Sequence, residues 1–101
     1  SVMAISDLVI SARDQLDPLM CEVVAELEAA DNAYPLAFFT QILMSLRSTT
    51  DEEELMELFF RLSTTAFQGF VFSPPETQRV DELLESCEQI ALTLSVGGSA
   101  H

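Results

Sequence analysis

The chain has 101 residues and carries 17 acidic side chains against four basic ones, a formal net charge of −13. All four cations are arginines (Arg13, Arg47, Arg61 and Arg79) and lysine is absent. This argues against direct nucleic-acid binding and against attachment to an anionic membrane surface, since both need clustered cations. Yet 49% of the residues are hydrophobic and the mean hydropathy is +0.27, so a single small domain is expected, with surplus apolar surface hidden in an interface.

The first helical pattern runs from about Ser6 to Ala30. Ser6 can cap it and Asp7 suits the positive end of the helix dipole. Ile5, Val9, Ala12, Leu16, Met20, Val23, Leu27 and Ala30 recur at helical spacing. Pro18 interrupts the pattern, and a proline inside a helix removes one hydrogen bond and crowds the preceding turn. The reading is a first helix kinked or broken there. A loop, Asp31 to Pro35, follows, with Tyr34 as its anchoring aromatic.

The second helix runs from Pro35 to about Arg47. All of it but Arg47 falls within NAYPLAFFTQILMSL, fifteen residues without a charge, and it is expected to be the most buried element. The stretch is too short to span a bilayer, which takes about 20 apolar residues. Thr50 to Glu53 reads as a capping box, with Thr50 as the cap. The third helix continues to about Phe67, and its apolar arc is wider than one core face. Gly69 is placed to end it. Phe70-Val71-Phe72 is a connector, either exposed contact surface or a lid folded over the bundle end. Ser73 to Glu76 is a second capping box, with Pro74 at the first helical position. The last helix then runs to about Ser95 with a narrow stripe of Val80, Leu83, Leu84, Cys87, Ile90, Ala91 and Leu94. Gly97-Gly98 is expected to end it.

Catalytic chemistry has little to work with. The one histidine is His101, so the usual general base and the His-based metal sites are missing. Without lysine there is no Schiff base and no P-loop lysine. The carboxylate pairs Glu22/Glu26, Glu53/Glu57 and Asp81/Glu85 read as solvated helix faces. Cys21 and Cys87 read as small core residues of a reducing compartment. No basic stretch precedes an apolar one near the N-terminus, so no secretory leader is expected there and the location reads as cytoplasmic. No catalytic residue, metal ligand or cofactor site is assigned.

The expectation is an all-α protein, a bundle of four to five helices, up-and-down and antiparallel, with one domain over residues 1–96 and a flexible tail over 97–101. Its function reads as a non-enzymatic protein–protein interaction module (an acidic adaptor, regulator or assembly chaperone) acting as a homodimer, with a basic protein as a further candidate partner. The candidate interface is Phe38, Phe39, Ile42, Met44, Phe60, Phe70, Val71 and Phe72. Two alternatives stand beside it: a carrier of apolar ligands with a Phe/Met-lined cavity, and an acidic mimic of nucleic acid that blocks a basic protein.

Overall fold

The structure, a computed structural model, describes residues 6–99, with side chains described over residues 6–94. Ile5 and His101 lie outside the described residues. Every regular element is helical: α1 (Asp7–Ala29), α2 (Ala33–Ser48), α3 (Glu52–Ser63), a 3₁₀ turn (Thr64–Phe67) and α4 (Pro74–Ser99).

Ser6 caps α1, its hydroxyl oxygen accepting from the Leu8 amide at 3.2 Å. Val9, Ala12, Leu16, Met20, Val23 and Leu27 form one buried stripe along the helix. Spacings of three and four residues keep all six on one face. Pro18 lies inside α1, which is one helix and not two. Pro18 is exposed, so the carbonyl deprived of its donor is on the side that water can reach. At the C-terminus the Asn32 amide donates to the Leu27 carbonyl and the Asp31 amide to that of Glu28. With Asp31 at φ +55°, this is the Schellman arrangement, with aspartate where glycine is commoner.

The bend is therefore shorter than expected. α2 opens at Ala33, and Pro35 falls in its first turn, where a missing amide hydrogen costs nothing. Tyr34 stands in that turn, 85% exposed, and anchors no loop. Asn32, the residue before α2, makes no side-chain cap. Its amide nitrogen instead donates to the Val71 carbonyl at 2.9 Å and to Glu76 Oε1 at 3.3 Å. That ties the α1–α2 bend to the connector before α4.

The cap of α3 is Asp51, one residue later than expected. Asp51 Oδ1 accepts from the Glu54 amide at 2.8 Å, and Glu54 Oε1 accepts from the Thr50 amide and hydroxyl at 2.9 and 3.0 Å. These bonds hold the Glu54 carboxyl below its ordinary range. The α-helix stops at Ser63 rather than Phe67. The hydroxyls of Ser63, Thr64 and Thr65 donate to the carbonyls of Phe60, Arg61 and Leu62, each at 2.6 Å. Side chains that occupy main-chain acceptors compete with the helical ladder, and the chain tightens into the 3₁₀ turn.

Gly69 ends this stretch at φ +74°, a conformation that side chains other than glycine's resist. The connector folds back on α2. Phe70 packs edge-on against Phe38 at 5.3 Å between ring centroids, and Phe72 lies 6.5 Å from Phe39. Val71 points out. The second capping box forms as read: the Ser73 amide donates to Glu76 Oε1 at 2.8 Å and the Glu76 amide to Ser73 Oγ at 3.4 Å. α4 then continues through Gly97-Gly98 to Ser99, past its expected end.

α1 touches each of the other three helices, whereas α2 and α4 do not meet. Asp17 pairs with Arg47 of α2, and Glu22 and Glu26 pair with Arg79 of α4. Among the described residues α2 has the largest share buried or half-buried, nine of 16, as expected. Among the helices it packs on α1 and α3, and its outer face still carries the exposed Ala37, Gln41 and Met44.

Replacing Pro18 with alanine restores a helical hydrogen bond at an exposed site. Proline is about 3 kcal/mol worse than alanine in a helix interior. Pro18→Ala should therefore raise the denaturant midpoint, by an amount equivalent to about 1–3 kcal/mol, with the helical circular-dichroism signal retained.

Candidate binding groove between α3 and α4

At 1.5 Å per residue, the 12 residues of α3 span about 18 Å and the 26 of α4 about 39 Å. α3 cannot cover its neighbour, and a groove of about 310 Å³ remains between them. Its apolar walls are Phe59 and Leu62 of α3 and Leu84, Cys87 and Ala91 of α4, with Ser63 and Glu88 at the edges.

Both helices carry exposed apolar and exposed acidic side chains outside the groove lining. On α3, Met56 and Phe60 stand one turn apart on the solvent side, and Phe67 follows in the 3₁₀ turn. Phe60 is 71% exposed and Phe67 87%. On α4, Glu88 stands at the edge of the groove and the exposed Leu92 lies one turn beyond it, while Asp81 and Glu85 line a separate hollow with Phe72 and Pro74, and Glu85 also one with Leu19 of α1.

The arginines stand elsewhere. Arg13 donates to the carbonyls of Thr49 and Arg47 at the end of α2. Arg47 binds Asp17, and Arg61 donates to Ser45 Oγ on α2. Arg79 faces α1 and pairs with Glu22 and Glu26 as well as with Glu82. Among the described residues, no arginine lies on the α3/α4 face.

The eight residues of the candidate interface divide. Phe39 and Ile42 are fully buried inside this chain, so they are core and not docking surface. A helix that packs on two neighbours turns such large side chains inward. Phe38, Phe70 and Phe72 are half-buried in an aromatic cluster, with Phe38 edge-on to Phe39 at 5.1 Å and Phe70 to Phe72 at 5.9 Å. Met44, Phe60 and Val71 are exposed, at 66%, 71% and 83%. None of the eight lines the groove; Phe60 follows Phe59, which does. Reasoning from the sequence missed Met56, Phe67 and Leu92, although the excess width of the third helix's apolar arc was the signal for the first two.

Compared with protein-family models, curated proteins and solved structures, the chain matches none.

Two clusters could have offered chemistry. Arg47 grips Asp17 through Nε at 2.8 Å and Nη2 at 3.0 Å, and this holds the Asp17 carboxyl below its ordinary value of 3.8. Cys21 is exposed, contrary to its reading as core. Its thiol donates to Asp17 Oδ1 at 3.4 Å. Partial desolvation, then the adjacent carboxylate, pushes its pKa up, away from nucleophilic reactivity. Cys87 is buried, and burial pushes its pKa up to about 12. Among the described residues no group of three or more His, Cys, Asp or Glu side chains is placed to hold a metal ion.

A depressed carboxyl pKa stabilises the fold above the unfolded-state value, and that contribution is lost as pH falls through the folded-state value. The stability gap between the wild type and Asp17→Asn should be widest above pH 3.8 and close as the pH drops below it; urea melts across that range measure it. In native protein a disulfide-exchange reagent should label Cys21 and spare Cys87, and both should react once the chain is denatured. Rapid labelling of Cys87 in the native state would contradict its burial.

Proposed function

We propose that this protein is a non-enzymatic interaction module whose α3/α4 groove holds a segment of another protein. The observation that carries this reading is an open groove walled by Phe59, Leu62, Leu84 and Ala91, together with two aromatic side chains left largely in solvent, Phe60 next to Phe59 in α3 and Phe67 in the turn that follows. Exposed apolar patches next to a concave surface mark docking sites. An apolar-ligand carrier is less well supported. The groove is open along its length and lies at the bottom of the usual pocket range of about 300–1,000 Å³. The phenylalanines, moreover, divide among core, connector cluster and surface.

A second copy of this chain is the competing occupant, with Met44 and Phe60 as exposed seam residues. Light-scattering mass separates the two: a dimer that Phe60→Glu converts to a folded monomer would assign the groove to self-association.

The direct test uses an apolar dye that fluoresces when bound. The double variant Phe60→Ser with Phe67→Ser should lose most of the dye signal. Both sites are exposed, so stability should change by no more than about 0.5 kcal/mol per site. Full dye binding in a folded double variant would remove the groove as the binding surface.

A further inference from the structure

A second concave surface lies along α4 and shares no lining residue with the α3/α4 groove. Positions 74, 77, 78, 81, 82 and 85 recur at spacings of three and four and so share one helix face. On that face is an open hollow of about 530 Å³, with Phe72 and Pro74 as apolar wall and Asp81, Glu82 and Glu85 in the lining. A smaller hollow of about 240 Å³ shares Glu82 and Glu85 with the first and reaches Leu19 of α1. The two adjoin and form a trough from Pro74 to Gln89, about 22 Å of helix, room for six or seven extended residues at about 3.3 Å each. We infer that this trough docks a basic segment of another protein. Its Lys or Arg side chains lie over Asp81 and Glu85, and its apolar side chains rest against Phe72 and Leu19.

Here the charge stands in the lining itself. Three carboxylates and no cation line the two hollows. Glu82 is shared with Arg79 at 3.1 Å, and Arg79 also reaches Glu22 and Glu26 of α1. Asp81 and Glu85, one turn apart, have no ion-pair partner among the described residues. The apolar contacts are preformed. Leu19 and Phe72 are half-buried and packed on the core, so little side-chain freedom is lost when a ligand covers them. Charge and apolar wall together select the occupant. A nucleic acid or an anionic membrane is repelled by the carboxylates. A second copy would bring a net charge of −13 and the same carboxylates, and like charges oppose that association. A bare metal ion would leave the apolar wall uncovered. A protein segment that combines cations with apolar residues meets both, and its approach is accelerated by the field of this chain.

The test is a titration of the isotope-labelled full chain, followed by amide chemical shifts. Three short designed peptides serve as probes. The first carries two lysines between two leucines, the second has glutamines in place of the lysines, and the third has serines in place of the leucines. Spermine is the fourth probe and supplies ammonium groups without a peptide. The first peptide should shift amides between Phe72 and Gln89 and at Leu19. It should bind about tenfold more tightly than the second at low salt, as two exposed ion pairs of modest strength allow. The third peptide and spermine should bind more weakly than the first. Combining Asp81→Asn with Glu85→Gln should abolish the advantage of lysine over glutamine. Both positions are exposed, and circular dichroism checks that the variant folds. Equal binding of the first two peptides, or a lysine advantage that survives in the double variant, would overturn the inference. Spermine bound as tightly as the first peptide would make a free polyamine the occupant and overturn the assignment to a protein segment. Shifts confined to Phe59, Leu62 and Ala91 would overturn this surface and leave the α3/α4 groove as the docking site. Shifts spread equally over the acidic first turn of α3 would reduce the effect to general attraction, and no shift with any probe would equally sink the inference.

Discussion

Everything in this fold leans on one face of α1. Val9, Ala12, Leu16, Met20, Val23 and Leu27 are buried along 23 helical residues, and α1 makes the two most extensive helix contacts in the fold, with α2 and with α4. Burying one such side chain contributes about 1.5–3 kcal/mol, so six in register form the largest continuous apolar contact available to the chain. α2 and α4 pack on α1 without touching each other. α3 meets α1 far less than they do and lies mainly against those two neighbours. An exposed proline within α1 is compatible with this role because the buried stripe runs on past it.

The groove follows from that arrangement and from local chemistry at the end of α3. Three consecutive hydroxyls take the carbonyls of Phe60, Arg61 and Leu62, the helix tightens, and Gly69 turns the chain away. A short α3 beside a long α4 leaves apolar surface uncovered. The polar contacts meanwhile sort the charge. Arg13 and Arg47 tie α1 to α2, Arg61 ties α3 to α2, and Arg79 ties α4 to α1. Each cation that joins two elements is withdrawn from the outer face of the α3/α4 pair. The same four side chains therefore join the elements and set where positive charge stands on the surface.

The candidate interface shows where sequence reasoning stops. Phe39 and Phe60 have the same side chain in similarly apolar helices, yet Phe39 is fully buried and Phe60 is 71% exposed. Hydrophobicity says that a side chain prefers cover. It does not say which of two apolar flanks the neighbours will cover. α2 and α3 each carry more apolar arc than two contacts can hide, and the choice between flanks depends on crossing geometry. The connector is a similar case. Phe70 and Phe72 turn inward onto Phe38 and Phe39 while Val71 faces out, an alternation that only the position of α2 decides.

The sequence alone determined the helical class, six of the seven described residues expected on the α1 stripe (Ala30 is exposed), the second capping box and the turn at Gly69, because each depends on residues within a turn or two of one another. The shift of the third helix's cap to Asp51, and its early end at Ser63, were also local, but several hydrogen-bonding side chains competed there and spacing could not rank them. Only the tertiary structure decided that α1 would be the common support, that Cys21 would be exposed and Cys87 buried, and that Asn32 would bond to Val71 and Glu76 rather than cap α2. These outcomes depend on contacts between residues 39 or more positions apart in the case of Asn32, and no local pattern encodes a partner at that distance. The groove belongs to the same category, since it is a difference in length between two helices that exists as a surface only once they lie side by side.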